Sequence, residues 1–160
     1  MPEARLQLTR RAVAEHAMLV AGVTGALLVR GAGSRAMLGG VAALAAVLTS
    51  TAVHEGAHAL AARLHGIRVH GLVVRGLVSA AVRRSPAHDA RGHALTCLAG
   101  PAASGALLAV AVPLALTARG AVWGTYGQVL ALADAVAVLG SVLPLPGTDA
   151  ARALAGPVRA

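Results

Sequence analysis

The stretch Thr51-Ala52-Val53-His54-Glu55-Gly56-Ala57-His58-Ala59-Leu60 carries the spacing H-E-x-x-H. Residues four apart share one face of an α-helix, so His54 and His58 can bring two imidazoles to a single zinc ion. Glu55 lies between them in sequence, near enough to take a proton from a zinc-bound water. These are the parts of a metal-assisted hydrolysis, and they predict a zinc peptidase with His54 and His58 as metal ligands and Glu55 as the catalytic base. The setting is unusual, because the motif lies inside a long apolar run.

The elements that must position these groups read as membrane helices. The chain has 160 residues, which fits one domain, and is 57% hydrophobic and 12% charged, against about a quarter charged in an ordinary soluble domain. Apolar runs recur along it, so membrane embedding is favoured over a soluble Ala-rich bundle. The expected fold is an all-α polytopic membrane protein with about four spans, near 12–29, 36–62, 93–117 and 121–143, in a single membrane-embedded domain over 1–160. The first span, with Glu15 and His16 near its start, is read as retained rather than cleaved. In the second, His54, Glu55 and His58 fall in the last third, and ionisable residues inside a membrane helix are costly and usually functional.

The connector 63–92 is rich in Arg and Gly. Ile67-Arg68-Val69-His70 alternates as a strand does, which predicts a short strand or a hairpin near the membrane face. His16, His65, His70 and His88 read as polar residues outside the metal site, and Cys97, the only cysteine, as a buried free thiol. The third span contains Gly100-Pro101-Ala102-Ala103-Ser104-Gly105, whose small side chains allow close helix approach and whose proline removes a backbone donor. In the fourth, Trp123 and Tyr126 suit an interfacial belt, and Asp134 is buried by pattern, with no Lys or Arg in that span to pair with. Pro144-Leu145-Pro146-Gly147 ends the regular helix, Asp149 follows, and 150–160 read as a short soluble tail.

The net charge of +8 rests on 14 Arg and no Lys. With one Trp, one Tyr and no Phe there is no stacking platform for nucleic acid, and the arginines sit between apolar runs. Arg5, Arg10, Arg11, the connector's Arg63, Arg68, Arg75, Arg83, Arg84 and Arg91, and Arg152 and Arg159 fall on one side of a four-span topology; Arg30, Arg35 and Arg119 fall on the other. The excess places both termini and the connector in the cytoplasm, and the expected location is a bacterial cell membrane with the active site on that side. His54 and His58, Gly100 and Pro101, and Asp149 then lie at one depth. Two His, one Asp and a water complete a tetrahedral zinc site, so Asp149 is the expected third ligand, with Asp89 and Asp134 as rivals.

This pattern resembles the site-2 protease family of intramembrane zinc metalloproteases, in a minimal core form. The resemblance rests on His54-Glu55-Gly56-Ala57-His58, Gly100-Pro101, and Leu143-Pro144-Leu145-Pro146-Gly147-Thr148-Asp149, and covers roughly residues 45–152. It implies that His54, His58 and Asp149 hold Zn(2+) and that Glu55 serves the water. It further implies that Gly100, Pro101, Ser104 and Ser141 bind substrate or support the site. Ser104 and Ser141 stand where the family often has Asn, and Ala150 where it usually has Gly. A hydroxyl is shorter than an amide and makes fewer hydrogen bonds.

The expected substrate is a single-pass membrane protein or peptide reaching the site through the lipid bilayer, unwound locally and held by strand addition on an edge strand around Ile67–Val74. The oligomeric state is open. Three other readings compete. An inactive membrane scaffold or substrate-binding relative would have no use for Glu55, which is not needed merely to hold zinc. A transporter or metal channel would call for an inverted repeat or a second metal cluster along a pore, and neither is visible. A soluble zinc protease is disfavoured by the flanking apolar spans.

Overall fold

The computed structural model describes residues 5–77 and 79–156. It contains four helices long and apolar enough to cross a membrane: α1 (Arg10–Val29), α2 (Ala36–Leu64), α3 (Ala90–Thr117) and α4 (Trp123–Val142). The shortest have 20 residues, which reach about 30 Å, the thickness of a bilayer's hydrocarbon core. Ala and Leu, strong helix formers, dominate their sequences. Their ends are marked locally. Thr9 caps α1 by accepting from the Ala12 N–H, and Asp89 caps α3 by accepting from the Gly92 N–H at 2.6 Å. α4 stops where Leu143 turns extended ahead of Pro144, a residue that disfavours helical backbone before it. α3 runs on through Pro101 and Pro113.

α2 is the centre of the bundle and packs on α1, α3 and α4. Its buried face is built from small residues, Gly39, Gly40, Ala43, Ala46 and Ser50 among them. Ala46 meets Ala111 and Leu130, with Leu107 and Tyr126 closing round them. Large apolar side chains such as Val29, Val110, Leu116, Leu132 and Leu139 point outward, as the four long apolar helices of an integral membrane protein require. Lipid is as apolar as these residues, so helix association rests on close van der Waals contact and interhelical hydrogen bonds. Gly127 shows how close: a Cβ there would stand 2.9 Å from the Ala115 amide nitrogen on α3.

The hairpin expected in the connector is present as β2 (Val69–Gly76) and β3 (Ser79–Arg84). A third strand, β1 (Arg5–Leu8), lies in the N-terminal stretch ahead of the first span. It pairs parallel to β2, Arg5 opposite Gly71 and Leu8 opposite Val74. The sheet order is β1-β2-β3, which corrects one expectation. The Val69–Val74 stretch is the central strand, with both edges taken by neighbours; the strands with an open side are β1 and β3, and β3 is the one beside Glu55. The start of α1 is stitched to the same sheet: the Thr9 hydroxyl donates to the Arg75 carbonyl at 2.9 Å, and the Glu15 carboxylate accepts the Leu77 N–H at 2.7 Å.

The stretch read as a soluble tail forms a short helix, α5 (Asp149–Ala155), which packs on α3. His93 Nε2 donates to the Arg152 carbonyl at 2.9 Å. The sheet and α5 therefore gather at the end of the bundle where α1 and α3 begin and α2 and α4 finish. Arg159, counted in the charge argument, lies outside the described residues.

The packing at Gly127 is testable against a glycine in open space. Gly127→Ala is expected to cost about 1–3 kcal/mol through overpacking. Gly105→Ala, whose Cβ meets nothing within 4 Å, is expected to be neutral or to gain up to about 1 kcal/mol of helix propensity. Thermal unfolding in detergent should come earlier in Gly127→Ala and be unchanged or later in Gly105→Ala, and equal losses would contradict the close α3–α4 contact.

Candidate metal centre

Ser50, His54 and His58 are spaced by four and form one stripe along α2; Thr51 and Glu55 form the next stripe. The first faces α3, α4 and α5, and the second faces β3. The turn Pro144–Gly147 brings the chain from the end of α4 back across α2, and Thr148 caps α5 by accepting from the Ala151 N–H. Asp149, the first residue of α5, is thereby set beside the two imidazoles.

His54 Nε2 and His58 Nε2 are 3.2 Å apart, and each lies 3.4 Å from Asp149 Oδ2. A tetrahedral zinc ion with bonds of about 2.0–2.1 Å has ligand–ligand edges of about 3.3–3.4 Å. The three atoms therefore stand at three corners of a zinc-sized tetrahedron. Their chemistry points the same way. His58 Nδ1 lies 2.6 Å from the Thr96 carbonyl, which can only accept, so the ring proton sits on Nδ1 and the Nε2 lone pair faces the cluster. Against the cost of burial, the neighbouring His54, His58 and Ser141 side chains hold the Asp149 carboxyl below the usual carboxylate range. An anionic oxygen and imidazole lone pairs converging on one point form a cation site, and the residues present fit zinc.

Gly100 supplies the clearance. A Cβ at this position would collide with His58 Nε2 and lie 2.7 Å from His54 Nε2. The α3 backbone thus forms the back wall of the cluster, which no residue with a side chain allows. Pro101 and Ser104, one turn on, are buried behind it. Ser104 Oγ lies 3.0 Å from His54 Nδ1, so both imidazoles are steadied from behind, the arrangement that orients metal ligands; Ser141 lines the same cavity as Asp149.

Glu55 is buried, and its Oε2 accepts the Val82 N–H of β3 at 3.0 Å. It lines a cavity of about 550 Å³ together with His54, His58, Asp149, Ser141 and residues of β3. Gly100, Pro101 and Ser104 are not among its lining residues.

Among the described residues, His54, His58 and Asp149 are the one group of three metal-capable side chains with converging ligand atoms. The rivals for the third position have other roles. Asp89 caps α3, and Asp134 accepts from Ser50 Oγ at 2.7 Å deeper in the bundle. His16 bonds the Ala12 carbonyl, and His70 pairs with Ser85. Cys97 is buried and takes a hydrogen bond from Arg84. The sequence reading missed the Thr96 carbonyl, the Val82 N–H and the Ser50–Asp134 bond. Only the last had a signal, since Ser50 precedes His54 by one helical turn.

Comparison of the chain with protein-family models, with curated proteins and with solved structures finds no match in any of the three. The class is carried by the architecture itself. An H-E-x-x-H helix whose histidines meet a distal aspartate, inside a bundle of four membrane-crossing helices with a hairpin after the second, matches the architecture of the site-2 proteases. The part-buried His-His-Asp cluster is consistent with the active site of a zinc-dependent intramembrane peptidase.

Detergent-purified protein is expected to carry about one zinc per chain. Asp149→Ala should lose it by removing a ligand, and Gly100→Ala by driving a methyl group into the two imidazoles. Zinc content by atomic absorption, on protein that remains monodisperse, checks both, and full retention in Asp149→Ala would remove that residue from the site.

Proposed function

We propose that the protein is an intramembrane zinc metalloendopeptidase that hydrolyses a peptide bond within or near a transmembrane segment of another membrane protein. The observation that carries this is the placement of Glu55. The carboxylate shares the cavity with the His54–His58–Asp149 cluster, and a purely structural metal site has no use for a base there.

In this reading His54, His58 and Asp149 are the metal ligands, and zinc held by them supplies Lewis acidity that activates water and polarises the scissile carbonyl at neutral pH. Glu55 takes the proton of the attacking water and passes it to the leaving amine. Its bond to the Val82 N–H fixes where the carboxylate points. A transmembrane helix hides its carbonyls in intrahelical bonds, so the substrate must be extended locally before attack. The open side of β3 lines the cavity from Ser79 to Val82 and suits strand addition by such a segment. Gly100 gives the ligands room, while Ser104 and Ser141 support His54 and Asp149; Pro101 belongs to the same close-packed segment.

The arginine distribution supports a cytoplasmic position for both termini, the sheet and the active site, in a bacterial cell membrane. The cavity is bordered by Arg75, Arg84 and Arg152, which gives water a polar approach from that side.

Glu55→Gln keeps the size of the side chain and removes the base. Cleavage of a single-pass substrate in proteoliposomes is expected to fall by about 10²–10⁴-fold, with zinc content unchanged. Full activity in this variant would overturn the assignment of Glu55.

A further inference from the structure

Asp134 has no part in the mechanism above, yet it is the most fully enclosed carboxylate described. It is 0% exposed, in the middle of α4, and Ser104 on α3 is also 0% exposed. A carboxyl group in the core of a membrane bundle is costly to keep, and such residues usually serve a function. One oxygen, Oδ1, accepts from Ser50 Oγ on α2 at 2.7 Å. The other, Oδ2, is buried without a hydrogen-bond partner. The Ser104 hydroxyl, close enough to act on the same carboxylate, lies 3.0 Å from His54 Nδ1.

The donor inventory then orders the groups. With Nε2 of His54 turned to the cluster, the ring proton sits on Nδ1 and is donated to Ser104 Oγ. A serine hydroxyl has one proton of its own, and that proton is left for an acceptor. The buried acceptor without a partner is Asp134 Oδ2. Ser50 holds the far side of the carboxylate and stands one turn before His54 on α2. Turning the Ser104 hydroxyl to Asp134 Oδ2 completes a chain His54–Ser104–Asp134–Ser50 that begins and ends on α2; its His54–Ser104 and Ser50–Asp134 bonds are in place.

We propose that Asp134 is a positioning residue for the metal site: through the Ser104 hydroxyl it fixes the tautomer and ring orientation of His54, so that Nε2 presents its lone pair to the metal. The proposal rests on the metal-site reading given above. A carboxylate behind a metal-bound histidine commonly sets ligand orientation and basicity, and here a serine is interposed because Asp134 stands too deep to reach the ring itself.

The test is zinc affinity of the full-length protein in detergent, with Zn²⁺ in competition with a chromophoric chelator, and the absorption spectrum of the Co²⁺-substituted protein as a second readout. Ser104→Ala and Asp134→Ala are each expected to weaken zinc binding by about 10–100-fold and to alter the cobalt spectrum. The double variant should be no weaker than the weaker single variant, because both substitutions break one chain. Asp134→Asn retains an acceptor for Ser104 and should recover most of the affinity.

Should Asp134→Ala fail to fold, Ser50→Ala takes its place in the cycle. It should weaken zinc binding in the wild-type background and have no effect in Ser104→Ala. Losses that multiply in the double variant, or unchanged affinity in Asp134→Ala, would overturn the proposal while leaving the peptidase reading intact. A wild-type protein that takes up neither Zn²⁺ nor Co²⁺ would instead overturn the metal-site reading itself.

Discussion

An anionic oxygen and two imidazole nitrogens from α2 and α5 are held within 3.2–3.4 Å of one another in an apolar bundle. Atoms that each offer a lone pair repel, and burial in a low-dielectric interior sharpens the repulsion. Such a cluster persists only if the helices around it leave the side chains no other place to go, or if a cation joins them. Much of the rest of the structure serves the first condition and prepares for the second. Small residues let α3 approach α2 until the Gly100 backbone lies against the rings. The Pro144–Gly147 turn sends the chain back across the bundle mouth and sets Asp149 at the start of a new helix. The Thr96 carbonyl, Ser104 and Ser141 take up the remaining polar valences.

The same constraint explains a division of labour within α2. Its first half is a packing surface of glycine and alanine, and its second half carries the chemistry. The change comes near Ser50, where the interior becomes polar. Above that level the bundle is held mainly by close contact, with the Tyr126 hydroxyl donating to Thr49 across α4 and α2; below it, polar side chains and open volume coexist. Glu55 sits on the stripe beside the ligands and bonds the sheet, so the group assigned to proton transfer and those assigned to metal binding share one cavity but are held by different neighbours.

How much of this could be read from the sequence follows from the range of each interaction. His54 and His58 share a face because of a four-residue spacing, which is local and legible. The four helices announce themselves through long apolar runs, and the hairpin through the alternation at Ile67–His70. Asp149 could be matched to the histidines because helix direction and depth constrain each other in a bilayer. What escaped were pairings across the chain with no periodic trace. β1 is four residues long and finds its partner across two helices. β2 looked like an edge until β1 took its other side. The Thr96 carbonyl and the Val82 N–H are backbone groups, and sequence is silent on which backbone groups a fold will put to use. Asp134 was conspicuous as a lone carboxylate in an apolar span, but its neighbours Ser50 and Ser104 come from two other helices.

The parallel pairing of β1 with β2 also imposes an order on synthesis. Residues 5–8 leave the ribosome before either of the first two helices, yet their partner is residues 71–74. The N-terminal strand must wait, unpaired, while α1 and α2 enter the membrane as a helical hairpin and return the chain to the starting side. Only when the connector emerges can the strand dock, and an early strand with free backbone groups is open to wrong partners in the meantime. Brevity and charge limit that hazard: β1 has four residues and begins with Arg5. Once docked, it ties the chain ahead of α1 to the sheet that borders the cavity.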